Sequence, residues 1–173
     1  SVFPGLQGGP HMHTVTAVAV ALAEADTPEF VAYAKQIVAN ARRLAEKLME
    51  HGFKLSSDGT DNHLILIDLR SKGIPGKKFA KALDRARIET NYNTIPDDPA
   101  PPFNPSGLRI GAPAITTRGM KEAQMELIAG FMAKVAENID NESMIEQVGK
   151  EVLLLCSQFP VPDHFIVPGR NNH

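Results

Sequence analysis

The chain has 173 residues, 43% apolar and 22% charged, with 18 Lys plus Arg against 20 Asp plus Glu, a formal net charge of −2. That composition suits one globular domain, or a small domain with a piece of another, and its near-neutral balance gives no electrostatic ground for nucleic acid or an anionic membrane as partner. No stretch is apolar enough to span a bilayer, nothing resembles a signal peptide, and the single cysteine, Cys156, excludes an intrachain disulfide and favours the cytoplasm.

The first ten residues, S-V-F-P-G-L-Q-G-G-P, hold three glycines and two prolines and predict turns. A Gly8-Gly9 pair ahead of a helix suits an anion held by backbone N–H groups, and a plain turn is the competing reading. The chain opens at Ser1 without Met, as a fragment would. His11 to Ala25 reads as a helix with apolar residues all round, from Val15 to Ala23, which predicts burial on every face. His11 and His13 do not form a metal pair, because positions i and i+2 point apart on a helix and no acidic or Cys cluster completes a set.

Thr27 as N-cap and Pro28 at the first position open a second helix, and Gly52 closes it. Its apolar stripe runs through Phe30, Ile37, Val38, Ala41, Leu44, Ala45 and Leu48, with Lys35, Arg42, Arg43 and Lys47 as a solvated face. Strands are predicted at 53–57 and 63–69. The unbroken apolar run from Leu64 to Ile67 implies cover on both faces of the second. A short helix over 76–86 follows, then a strand at 87–91.

The segment from Tyr92 to Ser106 holds five prolines and is long for a connection in a compact domain, which points to function. It delivers Arg109 into a strand at 108–111, between Leu108 and Ile110 and bracketed by Gly107 and Gly111. A guanidinium there requires an anion, and its planar fork fits a carboxylate or phosphate; a structural ion pair is the alternative. Two helices complete the chain. One runs from about Arg118 to Ile139 with Thr117 as cap, and the other starts after Asn141 and carries Cys156 on its apolar stripe, where a thiol is inert. The element order from residue 28 predicts an α+β domain of two layers, a short mixed or antiparallel sheet with helices on one face.

Three motifs in order, F-P-G-L-Q-G-G-P-H-M-H at 3–13, G-T-D-N-H at 59–63 and S-G-L-R-I-G-A-P-A-I-T-T-R-G at 106–119, resemble serine hydroxymethyltransferase, and P-D-D-P-A-P-P-F resembles its bacterial form. The resemblance implies the C-terminal part of a fold type I enzyme: residues 1–27 a remnant of the large cofactor domain, 28–159 the small domain and 160–173 a loose tail. The parent would use pyridoxal 5'-phosphate to interconvert serine and glycine, pass the one-carbon unit to tetrahydrofolate, and work as a homodimer.

On the same resemblance Arg109 would bind the substrate α-carboxylate, Asn93 and Phe3 would help hold folate, and Gly8 and Gly9 would meet the cofactor phosphate across the dimer. The family usually has lysine where this chain has Tyr92, so that contact is not carried over. The lysine that holds the cofactor lies upstream in the family, and none of the lysines here has a matching context, so the chain alone is expected to be inactive. No catalytic residue is assigned within it, and no metal. A truncated, non-catalytic α+β paralogue used for assembly or regulation is the alternative.

Overall fold

The structure is a computed structural model that describes residues 1–163. The expectation of a loose tail therefore lies outside the described residues from 164 onward. The chain divides into two compact units, the first Ser1–Lys35 and the second from Gln36 onward, so the geometric division falls inside a helix.

The first unit holds a turn around residues 3–6, the helix α1 (Met12–Ala25) and the start of α2 (Pro28–Glu50). No residue of α1 is buried, and Met12, Val15, Val18, Val20 and Leu22 are all exposed. The expected burial on every face is thus absent. A helix apolar all round cannot cover itself, and residues 1–35 supply no second layer for it. The entry to α2 is as expected, with the Phe30 amide donating to Thr27 Oγ1 at 3.2 Å.

The second unit is a four-stranded antiparallel sheet with helices packed on one face. Its strands are β1 (Lys54–Leu55), β2 (Leu64–Asp68), β3 (Asn91–Asn93) and β4 (Gly107–Gly111), in the spatial order β1-β2-β4-β3. All three pairings are antiparallel, which resolves the mixed-or-antiparallel alternative. Leu55, Ile65, Ile67 and Leu108 point into one core with residues of α2, α3 (Gly76–Arg85), α5 (Glu122–Glu137) and α6 (Glu142–Gln158). Side chains alternate across a strand, so Leu64 and Leu66 lie on the other face, where they are only half-buried. Cover on both faces of β2 was therefore too strong an expectation. The apolar run reflects one fully buried face and one partly covered.

Two helix ends explain where the predicted boundaries slipped. The 87–91 strand begins instead at Asn91, because Arg87 sits at φ 61 and closes α3: its amide donates to Asp84 O at 2.8 Å, and that of Ile88 reaches back to Leu83 O at 2.8 Å. This is the Schellman arrangement, which usually recruits glycine. An arginine in the left-handed position carries no sequence signal for it.

The helix expected from Arg118 is likewise two elements, a short α4 (Pro113–Thr117) and α5 starting at Glu122. Gly119 at φ +86 ends α4, with Gly119 N bonded to Thr116 O and Met120 N to Ile115 O. Thr117 is not the N-cap of α5, since its hydroxyl donates to Pro113 O at 3.0 Å within α4. Lys121 takes the cap position, its amide donating to Gln124 Oε1 at 2.9 Å. The cap of α6 follows the sequence, Asn141 Oδ1 accepting from the Met144 amide.

Buried polar groups link these helices. Asn40, fully buried in α2, donates to Thr116 Oγ1 and to Met120 O, each at 2.9 Å, and accepts from Gln36 Nε2. Arg118 donates to the carbonyls of Phe159 and Cys156, satisfying the end of α6 with a cation where the helix dipole favours one. Cys156 is a free thiol, half-buried against the core. Three of the four basic residues of α2 are paired at the surface, Arg42 with Asp61, Arg43 with Glu46 and Glu126, and Lys47 with Glu50. Such exposed pairs contribute little to stability.

Candidate functional site

Arg109 occupies the middle of β4. Its Cα partners are Leu66 on β2 and Asn91 on β3, so these three residues form one row on the face away from the helices. The side chain is exposed, and Nη2 donates to Asn91 Oδ1 at 3.2 Å. Among the described residues no carboxylate lies within ion-pair distance of the guanidinium, while Arg42, Arg43, Arg70 and Arg85 each have one. A structural ion pair, the competing reading for Arg109, therefore has no partner among the described residues. Most of its donors are left for an anion from outside.

Arg109, Asn91, His63 and Tyr92 line an open cleft of about 950 Å³. Its other walls bring in Lys81, Asp84 and Glu89, so its charge is mixed and Arg109 is the arginine within it. Asn93, assigned from resemblance to folate, is on β3 and pairs in register with Gly107; its Nδ2 donates to Thr94 O at 2.7 Å, leaving Oδ1 open. Phe3, Gly8 and Gly9 belong to the first unit. Phe3 is 73% exposed, and a Cβ built on Gly8 or Gly9 would meet nothing within 4 Å, so packing inside the chain does not require glycine at either position. Their backbone is open to a ligand. His11, the N-cap of α1, makes no side-chain cap bond, so the first-turn amides also lack that partner.

The structure adds one residue that sequence reasoning did not single out. Asp98 lies in the middle of the proline-rich connection, and its carboxylate accepts from three backbone amides and one hydroxyl: Ile95 N (3.3 Å) and Ser106 N (2.9 Å) on Oδ2, Ala100 N (3.0 Å) and Ser106 Oγ (2.7 Å) on Oδ1. The signal was available in principle. Five prolines strip the loop of amide donors, so an acid among them becomes the natural acceptor for those that remain.

These bonds, the Ser106 amide foremost, hold the Asp98 carboxyl at about 2, well below the ordinary 3.8. A depressed native value means that its contribution is fully present above the unfolded range of about 3.9 and is lost as pH falls toward the native one. The amide resonances of Ala100 and Ser106 in the folded protein, followed by NMR from pH 5 to 2, are expected to stay in place until about pH 3 and then shift together, about half-way by pH 2.

Among the described residues no group of three or more His, Cys, Asp or Glu is placed to hold a metal ion, and no helix is long and apolar enough to cross a membrane. Residues 1–132 match the family described as serine hydroxymethyltransferase. The chain belongs to the serine hydroxymethyltransferase family. It is 57% identical over 162 residues to the serine hydroxymethyltransferase of Sorangium cellulosum, covering 94% of this chain and 38% of that protein. It is 57% identical over 168 residues to that of Acidothermus cellulolyticus, covering 94% of this chain and 39% of that one. With the Legionella pneumophila enzyme it shares 52% over 161 residues, 93% of this chain and 39% of the relative.

The chain thus spans about two-fifths of the length of these relatives. Its small antiparallel α+β unit is consistent with a serine hydroxymethyltransferase, an enzyme of fold type I. Identity of this level across nearly the whole chain favours a portion of that transferase over a separate non-catalytic paralogue.

Proposed function

We propose that the chain is the C-terminal, substrate-carboxylate-binding portion of a serine hydroxymethyltransferase that interconverts serine and glycine and transfers the one-carbon unit to tetrahydrofolate. The observation that carries this reading is Arg109, an exposed guanidinium fixed by its strand and steadied by a neutral amide, with no carboxylate paired to it among the described residues. A planar bidentate donor held in this way fits the α-carboxylate of an amino acid.

Pyridoxal 5'-phosphate, bound in the whole enzyme, supplies the electron sink for bond changes at the α-carbon. The residues present are compatible with it: the open backbone at Gly8 and Gly9, next to the uncapped start of α1, can accept a phosphate, contributed from one subunit of a homodimer to the other. Phe3 and Asn93 hold the folate, the one through an exposed ring and the other through its free amide oxygen. The enzyme is cytoplasmic. The chain alone, without the lysine that holds the cofactor, turns over no serine.

The test is amino-acid binding in the full-length enzyme with Arg109→Ala. Glycine affinity is expected to fall roughly thirtyfold, about 2 kcal/mol for a lost charge-assisted pair, while cofactor content is unchanged. Equal loss of glycine and cofactor would make Arg109 structural.

A further inference from the structure

We infer that Asp98 is a positioning residue for amino-acid binding, acting through Arg109 by clamping the two ends of the loop that joins β3 to β4. The inference rests on the proposed role of Arg109 and extends it to the device that holds the arginine in place.

The loop leaves β3 after Asn93 and returns at Gly107, and these two residues are register partners. Antiparallel pairing would continue outward through the next amides, but the prolines of this loop cannot donate and its sequence cannot propagate a ladder. Asp98 Oδ2 takes that place. It accepts at once from Ile95 on the outgoing side and Ser106 on the returning side, so one oxygen bridges the loop ends beyond the last backbone pair. Oδ1 binds the Ser106 hydroxyl and the Ala100 amide, which fixes the carboxylate itself.

The clamp extends into the sheet. Ser106 O accepts from the Leu69 amide at 3.0 Å, next to the end of β2, so Asp98 ties together the ends of β2, β3 and β4. Two residues further along β4 is Arg109, opposite Asn91. β4 is held to β2 by five register pairs, whereas β3 meets it through only three, and a one-residue slip of β3 against β4 would carry Asn91 away from Arg109. The side chain best placed to hold that register is Asp98, because it binds both ends directly.

The experiment is a double-mutant cycle on glycine affinity in the full-length enzyme, with cofactor content and thermal midpoint measured on every variant. Asp98→Ala is expected to weaken glycine about tenfold with cofactor content retained, and Asp98→Ala combined with Arg109→Ala is expected to bind no worse than Arg109→Ala alone. Ser106→Ala, which removes only the hydroxyl bond, serves where Asp98→Ala fails to fold, and is expected to weaken glycine two- to threefold with the same non-additivity. An additive double mutant, or unchanged glycine affinity in Asp98→Ala, or in Ser106→Ala where that variant stands in, overturns the inference. If Arg109→Ala itself leaves glycine binding intact, the carboxylate reading falls first. A loss in Asp98→Ala against that background would show that the loop acts by another route, which also overturns the inference.

Discussion

Gly107→Ala is expected to destabilise the protein by about 3 to 4 kcal/mol and to lower its thermal midpoint by roughly 10 °C, the range for steric overpacking where the backbone cannot yield. A Cβ at this position would lie 2.4 Å from Ile95 Cγ2, 2.6 Å from Asn93 O and 3.1 Å from Ile67 O. Two of these are backbone carbonyls, one on each neighbouring strand, and the third belongs to a β-branched side chain with little freedom to rotate. The glycine is needed for close approach, so relief requires β2 or β3 to move away from β4. Gly119→Ala is the control. There nothing lies within 4 Å, and the cost, about 1 kcal/mol, comes only from the left-handed backbone at φ +86. Thermal unfolding of both variants, followed by circular dichroism, separates the two mechanisms; a Gly107→Ala variant within about 1 kcal/mol of the parent would show that the sheet can spread where β4 begins.

The second large effect is expected at Asn40. Removing its amide by Asn40→Ala leaves Met120 O and Thr116 Oγ1 without their donor in a buried place and opens a cavity in α2, together about 3 kcal/mol. Asn40→Leu fills the volume but not the hydrogen bonds. If the polar linkage is what matters, Asn40→Leu will recover less than half of the loss; full recovery would assign the effect to packing. Urea denaturation reads both variants on one scale. Thr116→Val, which keeps shape and removes the acceptor, is expected to cost about 1 kcal/mol.

Asn40 also shows where sequence reading stops. Its place on α2 reads as an ordinary polar position, and nothing local announces that α4 will pass over it. The apolar periodicity of α2, α5 and α6 was legible because burial imposes it over many residues. So were the caps at Thr27 and Asn141, whose side chains bond within three residues. What could not be read depends on partners distant in sequence or on backbone signs that side chains do not advertise: Arg87 in the left-handed position, Gly119 ending one helix instead of lying within another, and Asp98 reaching across its loop to Ser106. The site was legible in the same uneven way. Arg109 stood out by its flanking glycines and apolar neighbours, whereas its partner Asn91 emerged only when the register of β3 and β4 was known.

The clamp around Asp98 divides the proline-rich loop into parts with different freedom to change. Ile95, Asp98 and Ser106 are fixed by the carboxylate, and Pro105 O is committed to the Gly76 amide at 2.8 Å. The stretch between, Pro101 to Asn104, is exposed and is linked internally by the Asn104 amide bonded to Pro101 O at 2.9 Å. It is therefore a replaceable cassette: inserts grafted between Ala100 and Pro105 change the exposed tip of the loop without disturbing the frame that presents Arg109.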